Sequence, residues 1–405
     1  MLTACGRGTP ITATTKAAAA NEARMVPGRA VVRWKDAAAR AAVAAKLGLS
    51  EAQPFDVEGD EAIDLPNGQS LTTFREAAGD AAVTIEPDFV MRLPVFNEEK
   101  QAPTAAEREA TPLKRQYALQ KVDAAAAWKI TRGKPAVKIA VIDTGVDENH
   151  PDLRGQVAGS EGLVGLRAKL GFGSARDDNG HGTHCAGVVA ASGAQGVSGI
   201  APGCKLLVCK VLDNQGNGAT SQIARGIGWA VDHGADVISL SMGGEDDARA
   251  VRDAVARAIS RGVVVVAAMG NEGKEVRNFP AAYPGVIAVG ATSSTDKVAS
   301  FSTRGPWISV CAPGVGILST TPTYGVTLNN PEAGGIDPVY GKLSGTSMAT
   351  PLVAGIAALV RSQHASWTPA QIKAAIERGA VAIDGSAASR VGHGRVSAAG
   401  ALGAR

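Results

Sequence analysis

Along the chain, short apolar runs alternate with longer stretches in which apolar residues recur at helical spacing. From Val26 onward, Ala30-Val31-Val32-Arg33-Trp34 reads as a strand, Ala37 to Leu47 as an Ala-rich helix stopped by Gly48, and Ala62-Ile63-Asp64-Leu65 as a second strand leading into the turn Pro66-Asn67-Gly68. Thr72 to Ala78 predicts another helix, and Val83 to Leu93 a last strand interrupted by Glu86-Pro87-Asp88. Such a βαβαβ-like unit of about 70 residues is small but foldable. Residues 94–115 then carry Pro94, Pro103 and Pro112 among Glu, Lys and Ala, the composition of an exposed linker of the kind proteases cut.

Beyond the linker the pattern becomes repetitive. Lys138-Ile139-Ala140-Val141-Ile142, Leu206-Leu207-Val208, Val237-Ile238-Ser239-Leu240, Val263 to Ala267 and Val286-Ile287-Ala288-Val289 are short, mostly β-branched runs bounded by turn signals. Continuous apolar runs of this length predict strands buried on both faces. Helical stretches such as Ser221 to Asp232 and Asp247 to Ser260 lie between them, so the expected fold is α/β, a mainly parallel central sheet with helices on both faces. Near the end, Thr368-Pro369-Ala370-Gln371 offers an N-cap, Pro at the first helical position and Gln three residues after the cap, which predicts a helix from Pro369 to Arg378 ended by Gly379.

Composition narrows the class. With 405 residues, 45% hydrophobic, 20% charged and 49 Gly, the chain suits a compact globular protein with more than one unit. Net charge is +3 without a basic stripe, so nothing points to nucleic acid. No run of about 18 apolar residues predicts a membrane span. Five cysteines, with no CxxC or Cys/His cluster, suggest neither a disulfide framework nor zinc. Cys204 and Cys209 on one strand would be about 16 Å apart, beyond the roughly 4.4–6.8 Å between bridged Cα atoms. They and Cys311 read as buried thiols.

The candidate chemistry gathers at strand ends. Asp143 closes KIAVI, Ser241 closes DVISL, and Asn271 follows VVVVAA after Met-Gly. Carboxyl ends of parallel strands are where open sheets place ligand sites. His181, in Asp178-Asn179-Gly180-His181-Gly182-Thr183-His184-Cys185, opens a helix that Asp178 or Asn179 can cap, and Ser347 precedes the apolar helix Leu352 to Val360. A serine hydroxyl needs a base to take its proton, usually a histidine held by a carboxylate. Singly, the three residues read as a turn carboxylate, a capping histidine and a helix N-cap; together they make a catalytic set. His184 reads as structural, since no third ligand accompanies HxxH.

Three blocks carry a family resemblance: Asp143-Thr144-Gly145-Val146-Asp147 with His150-Pro151-Asp152-Leu153; His181-Gly182-Thr183-His184; and Gly345-Thr346-Ser347-Met348-Ala349-Thr350-Pro351. They resemble the signatures of subtilisin-like serine proteases, whose order Asp, His, Ser is also the order here. Ser241-Met242-Gly243-Gly244 is similar to the strand that pairs with substrate backbone, and Gly270-Asn271-Glu272-Gly273 to the loop with the oxyanion-hole Asn. The resemblance covers roughly residues 116 to 400. It implies a serine endopeptidase in which Ser347 is nucleophile, His181 general base, Asp143 its orienter and Asn271 an oxyanion donor, with Ser241, Met242, Gly243 and Gly270 binding substrate. Cys185 is similar to the proteinase K branch.

Residues 1–25, Thr- and Ala-rich and without periodicity, read as a leader or tether, and the resemblance implies an inhibitory propeptide of α+β type over 26–93, a processing linker over 94–115 and a peptidase domain over 116–405. Partners are then protein or peptide substrates and the chain's own propeptide, and the location is secreted or cell envelope. Leu2-Thr3-Ala4-Cys5 resembles a bacterial lipobox without the charged and apolar segments that precede one, so a lipid anchor at Cys5 and a chance match both stay open. No cofactor is needed for the chemistry. Calcium is a family trait that the chain supports poorly: Asp152 matches a ligand position, but the loop Ala191-Ser192-Gly193-Ala194-Gln195-Gly196 lacks the usual Asn oxygens and one carboxylate cannot supply six to eight ligands. The loop Thr321 to Tyr340, with Asn329, Asn330, Glu332 and Asp337, reads as solvated. Asn278-Phe279-Pro280 falls where a specificity pocket would have its wall, and a broad apolar or aromatic preference before the cut is expected, Glu272 and Glu275 being near without being clearly at its base. The alternative from another class is a catalytically silent binding module of the same fold.

Overall fold

Strand β5 (Lys138–Asp143) shows how the larger unit is built, because its side chains alternate between two cores. Ile139 and Val141 join one buried cluster, Ala140 and Ile142 the other. The structure, a computed structural model, describes residues 24–49, 53–54, 59–66, 69–94, 104, 110–165, 173–328, 339–383 and 387–404. The leader with Cys5, the Asn67-Gly68 turn, most of the linker and Asn329 to Asp337 lie outside the described residues.

Strands β6 (Val157–Gly162), β7 (Lys205–Lys210), β9 (Val237–Leu240), β10 (Val264–Ala268), β11 (Ile287–Thr292) and β12 (Val310–Pro313) complete a seven-stranded sheet in the order β12-β11-β10-β9-β5-β7-β6. Each neighbouring pair is parallel. The chain leaves β5 toward β6 and β7 on one side and later builds β9 to β12 on the other. The carboxyl end of β5 is thus the switch point, where neighbouring connections diverge and leave a crevice.

Helices cover both faces. α3 (His181–Ala190), α6 (Thr346–Gln363) and α7 (Pro369–Arg378) pack into the cluster of Ile139 and Val141, whereas α4 (Thr220–Asp232) and α5 (Arg249–Ser260) pack into that of Ala140 and Ile142. α7 has the expected capping box between Thr368 and Gln371. Cys185, Cys204, Cys209 and Cys311 are buried free thiols. Among the described residues no helix is long and apolar enough to cross a membrane.

Residues 24 to 92 form an antiparallel sheet, β2 (Gln53–Pro54), β3 (Asp60–Asp64), β1 (Met25–Trp34) and β4 (Ala82–Arg92), with helices α1 (Ala37–Leu47) and α2 (Leu71–Ala78). α1 ends on Gly48 in the left-handed region at φ 65°, as its sequence implies. The predicted break at Glu86-Pro87-Asp88 does not occur: β4 runs through it. Pro87 stays in register opposite Ala30 of β1, and the two acids beside it are used against the larger unit. Ala30, Val32, Trp34, Ile63 and Phe74 make the small core of this unit. Val31 and Met91 instead belong to the cluster of the larger one.

Candidate active site

Asp143, the last residue of β5, is fully buried and accepts from the Thr144 amide (2.7 Å) and from His181 Nδ1 (2.7 Å), both on Oδ1. His181 opens α3, whose first turn comes very close to the segment after β5: a Cβ on Gly182 would meet the Gly145 carbonyl oxygen at 2.2 Å. Only glycine permits that approach.

The expected caps of α3 are corrected by the structure. Asn179 contributes through Oδ1, which accepts from His181 N at 3.2 Å, but Asp178 turns away to pair with Lys210 at 2.6 Å. The organising acid is Asp177, which the sequence reading passed over. Fully buried, it accepts from Thr144 Oγ1 (2.9 Å), Asn179 N (3.0 Å), Gly180 N (2.8 Å), Thr183 N (2.9 Å) and Thr183 Oγ1 (2.6 Å). One carboxylate therefore ties the neighbour of Asp143 to the turn that bears His181. A run of two acids three residues before a histidine was the only signal of it.

Burial of the imidazole opposes its charge, yet the Asp143 carboxylate on Nδ1 prevails and holds the His181 pKa well above its ordinary 6.5. Cys185, one turn on, lies with Sγ 3.7 Å from His181 Nδ1 and 3.5 Å from the Ser347 carbonyl oxygen, and burial pushes its thiol pKa up. His184 is structural, as expected: burial lowers its pKa to about 3, and the neutral ring bonds through Nε2 to the Ile317 carbonyl at 2.9 Å.

Ser347 is buried in the first turn of α6, which begins at Thr346, several residues earlier than the apolar run suggests. Its Oγ donates to the Ser241 carbonyl at 2.9 Å, and Ser241 Oγ returns a bond to the Ser347 carbonyl, also at 2.9 Å. Ser241 thus holds Ser347 through both its carbonyl and its hydroxyl. Asn271 reaches the same turn: its Oδ1 accepts from Thr346 N (3.0 Å) and Thr346 Oγ1 (2.9 Å). The donor that this amide can turn to an oxyanion is therefore Nδ2. Gly270 N bonds to Thr346 Oγ1 at 3.2 Å, so Thr346 ties both Gly270 and Asn271 to the start of α6.

The crevice beside these residues is filled by the end of β4. Arg92 and Gly243 exchange both backbone hydrogen bonds (3.0 and 3.1 Å), and Val90, Met91 and Arg92 pair antiparallel with Ala219, Gly218 and Asn217 of strand β8 (Asn217–Ala219). Leu93 N then bonds to Gly216 O at 2.9 Å. The sequence reading found the Gly243 edge but not the β8 edge, whose Asn-Gly-Ala looks like an ordinary turn. Met242 is buried in the cluster that also takes Met91. Beyond, a cavity of about 280 Å³ is lined by Pro94, Gly243, Gly270, Glu272 and Asn278. Glu272 therefore lines the cleft, its carboxylate held by Asn278 Nδ2 (2.9 Å) and Thr303 Oγ1.

The loop from Thr321 is not simply solvated. Thr323 N and Oγ1 bond to Asp147 Oδ2 (3.0 and 2.7 Å), Leu328 N bonds to Asn179 O (2.8 Å), and Val326 and Leu328 are buried beside Gly180. Apolar residues in a polar-looking loop find a covered place against the turn that carries His181. Asp152, at the position of a calcium ligand, is surrounded by N–H and O–H donors and does not fit a cation.

Comparison with known proteins gives this geometry a context. A model described as Subtilase family matches residues 134–394. Thermitase of Thermoactinomyces vulgaris is 45% identical over 274 residues, which cover 67% of this chain and 90% of that protein. Subtilisin E of Bacillus subtilis (strain 168) is 44% identical over 255 residues, 62% of this chain and 62% of its own length. The crystal structure of fervidolysin from Fervidobacterium pennivorans, a keratinolytic enzyme related to subtilisin, superposes with a TM-score of 0.79 at 28% identity, covering 94% of this chain and 61% of that one. With its parallel sheet, its switch-point crevice and these matches, the chain belongs to the subtilase family of serine endopeptidases.

Proposed function

We propose that Ser347, His181 and Asp143 hydrolyse peptide bonds, and that residues 26–93 are an inhibitory propeptide which the enzyme cuts from itself. Ser347 Oγ attacks the substrate carbonyl as His181 Nε2 takes its proton. Asp143 stabilises the imidazolium through Nδ1. Asn271 Nδ2 and the Ser347 N–H receive the oxyanion, an arrangement in which loss of one donor costs about 10² to 10³ in turnover. His181 returns the proton to the leaving amine, and water then attacks the acyl-enzyme by the same route.

One observation carries the self-processing: β4 enters the crevice as an added strand between β8 and Gly243, in backbone pairing that any extended substrate could adopt. It runs toward Pro94 and the linker, so the scissile bond falls between Pro94 and Gln116. After cleavage the strand remains bound and blocks the cleft until the small unit is degraded. Such a latent form suits an enzyme that acts outside the cytoplasm, secreted or at the cell envelope. The preference before the cut is for apolar or aromatic residues, supported by the buried Asn278-Phe279 wall. Glu272 favours a second class, cationic residues. Peptide libraries separate them: Glu272→Gln leaves cleavage after Phe or Leu intact and lowers any cleavage after Lys or Arg.

The test of the whole reading is an intact-mass comparison in a protease-deficient host. Wild type separates into two fragments, the larger beginning between 94 and 116, whereas Ser347→Ala folds and stays full length. Cleavage of Ser347→Ala at the same bond would reject self-processing. A fluorophosphonate that fails to label Ser347 in processed protein would favour the silent module.

A further inference from the structure

Subtilisin-like proteins lead one to expect calcium near Asp152, and the chemistry around this side chain is of the opposite sign. Asp152 is fully buried. Its Oδ1 accepts from Gln195 N (2.8 Å) and Ser192 Oγ (3.2 Å), and its Oδ2 from Gly196 N (2.9 Å), Val197 N (3.0 Å) and Tyr340 OH (2.9 Å). A carboxylate offers about four lone-pair sites, and five donors occupy it. Three consecutive backbone N–H groups aimed at one point form an anion nest. A cation placed there would face the positive ends of those dipoles and find no free carboxylate lone pair. Two of the loop's carbonyl oxygens already have donors, Val197 O from Gly193 N at 3.1 Å and Gly196 O from Arg115 Nη1 at 2.8 Å.

Neighbouring groups are arranged for the anion as well. Tyr340 lies flat against Gly196, where a Cβ would meet its ring at 2.3 Å, so the approach of its hydroxyl to Asp152 requires that glycine. His150 receives the Asp152 amide on Nδ1 (3.1 Å), which leaves Nε2 to donate to Val339 O (2.8 Å), and its ring stands edge-on to Tyr340 at 5.4 Å. Burial lowers the His150 pKa, in keeping with this neutral tautomer. Among the described residues, the one cluster of three acidic, His or Cys ligand atoms is Asp143, His181 and Cys185, which the catalytic set already uses.

We infer that the Asp152 carboxylate takes the organising place of a structural cation. It pins the 192–197 loop, which follows the His181 helix, to strand β14 (Tyr340–Leu343), which leads to Ser347, and this site takes no calcium. The experiment uses the full chain with Ser347→Ala, in which self-digestion cannot distort melting. Its Tm difference between EDTA and added calcium is expected to be unchanged by Asp152→Asn. Adding Asp152→Asn replaces an acceptor oxygen with a donor facing N–H groups and lowers Tm by several degrees, with no recovery in calcium. Should that variant not fold, Tyr340→Phe removes one of the five donors and gives a smaller fall, again indifferent to calcium. A calcium-dependent rise of Tm that Asp152→Asn abolishes overturns the inference, as does an Asp152→Asn chain as stable as its parent.

Discussion

His181 carries a charge preference that its burial alone would deny it. Because the Asp143 carboxylate outweighs desolvation, the imidazole in the full chain titrates above 6.5, and NMR of Ser347→Ala should show that midpoint. A midpoint at or below 6.5 would contradict the Asp143 contact. The sign for stability follows: the folded pKa is raised, so the contribution of this group is complete below pH 6.5 and is lost as pH rises through the higher value. Asp143→Asn should lower kcat by about 10⁴, the scale of losing a triad carboxylate. Asp177 acts one step further away, as a positioning residue. Asp177→Asn should reduce kcat about 10- to 100-fold with little change in KM, since misplacing a base by about an ångström has that effect; a KM effect with kcat intact would show that the acid shapes the cleft and not the base. Cys185 lies against His181, and a mercurial that reached its thiol would crowd the imidazole. Cys185→Ser should then abolish mercury sensitivity, measured as residual activity.

At the scale of elements, β4 is joined to the larger unit through helix ends as well as by strand pairing. Asp88, fully buried, accepts from Ser221 N (2.9 Å), Ser221 Oγ (2.7 Å) and Thr220 Oγ1 (3.0 Å) at the start of α4. Glu86 accepts from Arg249 N and Ala250 N (3.0 Å each) at the start of α5. Each acid satisfies amides that a helix leaves open and meets the positive end of its dipole. Asp88→Ala strands three donors, at a cost of about 1–3 kcal/mol, so the cleaved small unit should bind and inhibit roughly 10- to 100-fold more weakly. Inhibition kinetics with the two fragments would measure it, and an unchanged inhibition constant would mean that the strand alone holds the complex. The arginines of this contact, Arg33 and Arg249, share Asp60 and Asp253 at 3.0 to 3.1 Å.

For the molecule as a whole, one chain supplies both a catalytic crevice and the strand that fills it. A small unit ending before Val90 should therefore still dock through its acids yet no longer block peptide hydrolysis. The outline of that design could be read from sequence wherever the information is local or periodic. β-branched runs of strand length, helices capped by Thr368-Pro369 or ended by Gly48, and three signature blocks in order were enough for the α/β sheet and the family. What tertiary structure alone decided are meetings between distant segments, for which no local pattern exists. Asp177 could not be told from Asp178 until the turn folded against Thr144. Glu86-Pro87-Asp88 looked like a break because its acids have partners some 130 to 160 residues later. Asp152 could be matched to a ligand position by its neighbours in sequence, but the sign of its surroundings depends on which way the 195–197 amides point, and backbone direction is set by packing, not by residue type.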